Sequence, residues 1–201
     1  MPTKKVAILI FDDVEVLDFC GPFEVFSVAG KWGGQKPFEA FTVAEKKKVR
    51  TRGGMIVNPT YTLKNCPRAD ILVIPGGGGR RKDGTAFGTR REMDNPALLK
   101  WIQDFSSTSE QVLSVCTGAL LIAKAGLMED LSVTTHHMAV GELEKVAPKS
   151  ARIRKNTRVV DNGKMVFSGG VAAGIDAAFH IVEKLLGKEI AVKTAKYIEY
   201  N

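Results

Sequence analysis

Residues 111–126 read QVLSVCTGALLIAKAG, which is an apolar strand, a turn at Cys116 and a helix closed by Gly126. A strand that passes into a helix through so short a turn is typical of an α/β fold, with Cys116 on a nucleophile elbow between the two elements. The first N–H groups of such a helix are unpaired and the helix dipole is positive there, so both favour a thiolate. The alternative is a small buried hydrophobic side chain that ends a strand, because free cysteines are often buried. The local pattern alone fits a reactive thiol and a structural one equally well.

Fully apolar runs mark further strands of a buried sheet. Residues 6–11 (VAILIF) and 71–74 (ILVI) contain no polar position, as is usual for parallel strands buried on both faces. Helices are predicted after Gly21-Pro22, after Asn95-Pro96, over about residues 173–186 and over residues 189–197. Residues 52–59 indicate a small β-hairpin, and residues 162–163 (NG) a turn between two strands. This alternation predicts an α/β fold: one domain over residues 1–201, with a flavodoxin-like doubly wound, mostly parallel sheet and helices on both faces.

The composition is that of an ordinary globular protein, with 201 residues, 44% hydrophobic and 25% charged. The net charge is +7, but the basic residues fall in separate short clusters without a recognition-helix pattern, so we expect solvated loops and no nucleic-acid partner. No apolar run is long enough to span a bilayer and no secretory signal precedes the first strand, so we expect no membrane partner. The three cysteines have neither a disulfide-framework nor a metal-ligand spacing, which predicts a cytoplasmic location and no metal.

Three loops at the predicted carboxyl ends of strands carry the chemically useful residues: 12–21, 75–79 and 116–118. Ligands bind beyond this edge of a doubly wound sheet. Asp18 is either the N-cap of the first helix or, if it is buried beside a thiol, a carboxyl with a raised pKa that can act as a general acid. Glu24 is the alternative acidic partner. The glycines Gly76, Gly77 and Gly78 offer unobstructed amides to an oxyanion or a phosphate, but the loop lacks the Lys-Ser/Thr ending of a phosphate-binding loop.

Five segments together resemble the ThiJ/PfpI superfamily, whose fold is like that of the class I glutamine amidotransferases. They are LDFCGPFEVF (residues 17–26), IPGG (74–77), SVCTGA (114–119), TTHH (134–137) and GVAAGID (170–176). The segments span nearly the whole chain in the family's order. Within the superfamily they are most similar to the isocyanide hydratase branch, which is also similar to the sensor domains of some AraC-type regulators.

The resemblance implies a site around Cys116. Cys116 is then the nucleophile, Asp18 the acidic residue that hydrogen-bonds it, and Thr117 a hydroxyl that helps to orient groups at the site. Gly77 and the amides near Cys116 would line an anion-stabilising pocket, with His136 close to it. In a hydratase of this kind the thiolate attacks the terminal carbon of R–N≡C, Asp18 donates a proton, and water releases an N-substituted formamide. The resemblance also implies a small-molecule substrate, no cofactor and a homodimer.

Other functions stay open at this point. The family's Pro-Gly-Gly loop usually runs quickly into Gly-Thr-Arg, but here Gly88-Thr89-Arg90 follows an apparent insertion over residues 78–87. The insertion would form a lid, change the substrate size, attract an anionic group or be a disordered loop. The same thiol also suits an amidase or peptidase with a histidine base, a glyoxalase-like enzyme, or a redox sensor. No residues remain after the last predicted helix for the helix-turn-helix domain of an AraC-type regulator, so we do not expect a transcription factor.

Overall fold

The architecture is a central sheet with helices packed against it, seen in a computed structural model that describes residues 2–32 and 35–200. The strands are, in chain order, β1 (Lys4–Leu9), β2 (Phe38–Ala44), β3 (Val49–Arg50), β4 (Ile56–Val57), β5 (Tyr61–Thr62), β6 (Ile71–Ile74), β7 (Gly78–Arg80), β8 (Ala86–Gly88), β9 (Gln111–Ser114), β10 (Ser132–Val133), β11 (Arg152–Ile153), β12 (Val159–Asp161) and β13 (Met165–Ser168). The helices are α1 (Val16–Val28), α2 (Thr89–Glu92), α3 (Pro96–Thr108), α4 (Gly118–Lys124), α5 (Val140–Val146), α6 (Ala173–Leu186) and α7 (Lys188–Tyr197), with a turn of 3-10 helix at His137–Ala139.

The central sheet has seven strands in the order β12-β13-β9-β6-β1-β2-β5. Neighbouring strands are parallel throughout, except for the antiparallel pair β12 and β13. The side chains from Val6 to Ile10 and from Ile71 to Ile74 are completely buried. These runs occupy the two middle strands β1 and β6, where both faces are covered and polar positions would lose their water. The predicted mostly parallel α/β sheet is confirmed.

The helices form two groups that pack among themselves. Helix α6 contacts both α1 and α7, and α4 contacts α2, α3 and α5. Two such groups are what the two faces of a doubly wound sheet require. Helix α3 begins as predicted, because the Asn95 side chain accepts the N–H of Leu98 at 3.1 Å and Pro96 follows it. Within the described part of the chain, no helix is long and apolar enough to cross a membrane.

The first helix begins earlier than the Gly21-Pro22 pair predicts. Helix α1 starts at Val16 with Glu15 as its N-cap residue, and Pro22 lies inside it. Gly-Pro is a common helix start because proline lacks an N–H, but the preceding residues already complete the first turn here. The correction matters for the site, because it places Asp18 inside the first turn of α1 instead of at its cap.

Two β-hairpins extend from the sheet. Strands β3 and β4 pair antiparallel and confirm the small hairpin expected around residues 52–59, with its strands just outside and inside that range. Strands β7 and β8 pair antiparallel over the apparent insertion. The Arg81 guanidinium lies 5.9 Å from the centre of the Phe87 ring in this second hairpin, a distance at which a cation and an aromatic face attract. The insertion is therefore an ordered hairpin, and it leads through Gly88 into α2.

Candidate active site

Cys116 lies on the turn between β9 and α4 and has a φ of 56°. A left-handed backbone is uncommon and strained for a residue other than glycine, so neighbouring contacts must hold it. The Cys116 N–H donates to the Gly169 carbonyl at 3.1 Å, and its own carbonyl accepts the Thr135 hydroxyl at 2.8 Å. The turn also presses against β6, since a Cβ at Gly118 would lie 2.2 Å from the Ile74 carbonyl oxygen. Glycine is therefore required where α4 begins.

The Cys116 thiol is buried, with 6% of the residue exposed. Burial, followed by the charge of Asp18, raises the pKa of the thiol to about 12, while the backbone N–H groups of Thr117 and Val171 act in the opposite direction. The effect of burial on the pKa exceeds that of the amides at the start of α4. The amides act in the predicted direction, but burial and the neighbouring carboxyl outweigh them and the pKa of Cys116 lies above its usual range in the free protein.

Asp18 is 0% exposed and approaches Cys116 from α1. Its Oδ2 accepts the Gly76 N–H at 3.0 Å, whereas its Oδ1 is buried without a hydrogen-bond partner among the described residues. Burial raises the pKa of Asp18 to about 7, and the hydrogen bond from Gly76 and the interaction with the Cys116 thiol offset it only in part. Near neutral pH the carboxyl can therefore both accept and donate a proton beside the sulfur, as a general acid must.

A cavity of about 280 Å³ opens beside Cys116, whereas Asp18 is fully buried next to Cys116 and does not line the cavity. Its wall consists of a glycine segment, four charged or ionisable side chains and a few apolar groups around the sulfur: Gly77, Gly78, Gly79, Glu15, Arg52, Arg90, His136, Met138, Ala139, Val171, Cys116 and Thr117. Pockets for drug-sized ligands measure roughly 300–1,000 Å³, so this cavity suits a small molecule.

The first two amides of the glycine loop are hydrogen-bonded within the protein. The Gly76 N–H is bonded to Asp18, and the Gly77 N–H donates to the Thr117 Oγ1 at 3.0 Å. Each amide already has a protein acceptor in the free protein, and Gly77 lines the cavity while Gly76 does not, so the predicted role of these amides toward an anion stays a prediction. The loop still needs its glycines, since Gly77 has a φ of 127° and a Cβ there would lie 2.3 Å from the Glu15 nitrogen. Gly78 lines the cavity as expected.

The remaining predicted site residues divide into two groups. Thr117 and His136 line the cavity, but Glu24 is exposed on α1 and does not. Six residues at about 100° each leave Glu24 about 120° around the helix axis from Asp18, on a different face of α1. The prediction of Glu24 as the alternative acidic partner is therefore corrected. The His136 Nδ1 accepts the Met138 N–H at 3.2 Å, and burial lowers the His136 pKa. The neutral ring therefore carries its proton on Nε2 and is a donor rather than a base.

Sequence reasoning missed the charged rim of the cavity and the Val171 N–H, which lowers the pKa of the Cys116 thiol. Arg52 donates to the Glu15 carboxylate at 3.2 Å, and Arg90 donates twice to Glu142, at 2.9 and 2.6 Å. These pairs join segments far apart in the chain, so no local pattern marks them; the signal for Arg90 was its place in the Gly-Thr-Arg segment. In the described ranges, no three His, Cys, Asp or Glu side chains are grouped closely enough to hold a metal ion.

Comparison with known proteins now decides the family, because the DJ-1/PfpI family profile matches residues 4–184. This chain belongs to the DJ-1/PfpI family. It is 28% identical over 202 residues to the isonitrile hydratase of Pseudomonas putida, covering 98% of this chain and 78% of that protein. A ThiJ/PfpI family protein from Pseudomonas syringae has the same fold with a TM-score of 0.84 and 26% identity, covering 100% of this chain and 76% of that one. Drosophila melanogaster DJ-1beta matches over 100% of both chains with a TM-score of 0.81 and 18% identity, which shows the shared fold. The resemblance to ThiJ/PfpI proteins is confirmed.

Proposed function

We propose that this DJ-1/PfpI protein is a cysteine-dependent hydratase that adds water to a small electrophile, an isocyanide, to give an N-substituted formamide. One observation carries the proposal: Cys116 lines a small cavity, and its thiol adjoins the fully buried Asp18 carboxyl, whose pKa burial raises to about 7. The similarity to an isonitrile hydratase along 98% of the chain supports the choice of substrate.

The proposed reaction has two steps, and water is its only co-reactant. In the first step, Asp18 protonates the terminal carbon of R–N≡C as the Cys116 sulfur bonds to that carbon, and the thiol proton passes to Asp18. The product is a thioimidate, R–N=CH–S–Cys116. In the second step, the oxygen of water bonds to the carbon, the C–S bond breaks, the nitrogen gains a proton and the thiol is restored, releasing R–NH–CHO. A carboxyl with a pKa near 7 is suited to both proton transfers.

Two of the alternatives, an amidase or peptidase and a redox sensor, fit the site less well than the hydratase does. An amidase or peptidase needs a base that deprotonates the thiol, but His136 uses Nδ1 to accept the Met138 N–H and so presents a protonated Nε2. A redox sensor needs an accessible thiolate, whereas Cys116 is 6% exposed and burial raises its pKa to about 12. The burial of Cys116 and its raised pKa both favour a thiol that reacts only when a substrate and the Asp18 proton are present together.

The test is turnover of para-nitrophenyl isocyanide, with the formamide identified by chromatography and mass spectrometry. We expect the wild type to form the formamide, and Cys116→Ala and Asp18→Asn to lose at least about 10³-fold in kcat/KM, since each is part of one catalytic unit. Cys66→Ala is the matched control, because Cys66 is a half-buried thiol that does not line the cavity. Absence of formamide with the wild type, together with hydrolysis of an anilide or conversion of methylglyoxal, contradicts the proposal.

A further inference from the structure

Thr89 is a fully buried hydroxyl placed directly behind the cavity wall. It is the first residue of α2, and its N–H donates to the Gly77 carbonyl at 3.1 Å. Its side chain is 0% exposed, and the hydrogen-bond contact that the described residues give its hydroxyl is Thr117 Oγ1 at 3.1 Å. Among the described residues, Thr117 Oγ1 is therefore the acceptor available to the Thr89 hydroxyl.

The burial of the two hydroxyls decides which one donates. If Thr117 donated to Thr89, the Thr89 proton would be buried without an acceptor. The folded state would then be destabilised by the desolvation free energy of that unpaired donor. Thr117 differs from Thr89 in that it lines the cavity, where water or a bound molecule supplies an acceptor. The favourable arrangement therefore has Thr89 donating to Thr117.

The Thr117 oxygen then accepts two hydrogen bonds, one from the Thr89 hydroxyl and one from the Gly77 N–H at 3.0 Å. A hydroxyl oxygen has two lone pairs, so both are occupied. The Thr117 proton then points away from these two partners, and the cavity that Thr117 lines beside Cys116 is where an acceptor for it can be bound.

We propose that Thr89 is a positioning residue that fixes the Thr117 hydroxyl as a hydrogen-bond donor to the molecule bound in the Cys116 cavity. The inference rests on the proposed hydratase function, in which the acceptor is the substrate nitrogen that gains a proton in the second step. It also gives the β7–β8 hairpin a role, because this hairpin leads into α2 and delivers Thr89 behind the glycine loop.

Four variants test the chain of two hydroxyls: Thr89→Val, Thr89→Ser, Thr117→Val and the double valine variant. Loss of one preorganised donor lowers kcat by about 10²–10³-fold, which we expect for Thr117→Val. Thr89→Val keeps the Thr117 hydroxyl but lets it rotate, so we expect kcat to fall about 10-fold with KM nearly unchanged. Thr89→Ser restores the donor and should return kcat to within about 2-fold of the wild type.

The double variant separates positioning from a merely structural role. Because Thr89 acts through Thr117, the double variant should be no slower than Thr117→Val alone. A further 10-fold loss in the double variant, or failure of Thr89→Ser to restore kcat, overturns the inference.

Solution NMR on wild-type protein tests the proton directions without any turnover. We expect a slowly exchanging Thr89 hydroxyl proton with a nuclear Overhauser contact to Thr117, and a faster exchange for the Thr117 hydroxyl. A slow Thr117 proton directed at Thr89 overturns the inference even if Thr89→Val fails to fold. Absence of formamide with the wild type would count against the hydratase, while the NMR result would still decide the direction of this hydrogen bond.

Discussion

Asp18→Asn should change how the stability of the protein depends on pH. Burial raises the pKa of Asp18 from 3.8 to about 7 in the folded protein, whereas the unfolded chain loses this proton near 3.8. Between these pH values the folded state binds more protons than the unfolded state, so unfolding releases a proton and wild-type stability falls as pH rises. Asparagine is neutral throughout and escapes this loss.

The magnitude follows from the same two pKa values. The rise from 3.8 to about 7 corresponds to about 4 kcal/mol of destabilisation above pH 7, at about 1.36 kcal/mol per pKa unit. Of this, about 3 kcal/mol falls between pH 5 and pH 8.5, because part of the loss has already occurred at pH 5. No reduction for solvent screening applies, since Asp18 is 0% exposed.

The assay is urea unfolding of the wild type and Asp18→Asn at pH 5 and pH 8.5. We expect the stability of the variant relative to the wild type to increase by about 3 kcal/mol over this interval. Asp83→Asn is the control: hydrogen bonds from Thr85 lower the pKa of Asp83, so it stays ionised over the interval and its difference should be constant. A constant difference for Asp18→Asn as well would refute the claim that Asp18 takes up a proton near neutral pH.

Three further predictions concern the cavity and its frame. Native Cys116 should react with iodoacetamide at pH 7 more slowly than free cysteine and faster as pH rises, because its pKa is raised; a fast reaction at pH 7 contradicts this. Gly77→Ala should lower the free energy of unfolding in urea by several kcal/mol, because the added Cβ meets the Glu15 nitrogen. Gly84→Ala is the control: its Cβ meets no atom within 4 Å, so it should cost only about 1 kcal/mol for its positive φ. Equal losses would show that the close approach at Gly77 is not the cause. His136→Gln keeps a neutral donor at the cavity, so kcat for the isocyanide should stay within about 3-fold of the wild type, and a loss of about 10²-fold or more would assign His136 the role of a base.

The fold was readable from sequence because its signals are local. Apolar runs such as residues 71–74 can only be strands covered on both faces, and their alternation with helices leaves few topologies. The start of α1 was misplaced because Gly21-Pro22 is a strong local signal, whereas the true start at Val16 depends on packing. Whether residues 78–87 are ordered also depends on pairing between their two ends, which no local pattern reveals.

The site was predictable in its residues but not in its hydrogen bonds. Asp18 lies beside Cys116, and Thr117 lines the same cavity as Cys116, while the predicted roles of the three residues stay predictions. The direction of each glycine-loop N–H depends on the backbone angles of that loop, so the sequence could not show that the Gly76 N–H donates to the Asp18 carboxyl. The protonation of Cys116 depends on burial, which in turn depends on the whole fold. The homodimer implied by the family resemblance stays a prediction.

In the proposed reaction the Cys116 sulfur bonds to the isocyanide carbon, and quenched-turnover mass spectrometry can detect that bond. The enzyme is mixed with excess para-nitrophenyl isocyanide, stopped in acid within a turnover, digested and analysed. We expect a peptide containing Cys116 that is heavier by the mass of one isocyanide in the wild type, and no such adduct in Cys116→Ala. Formamide production by Cys116→Ala at the wild-type rate, without an adduct on any peptide, would contradict it.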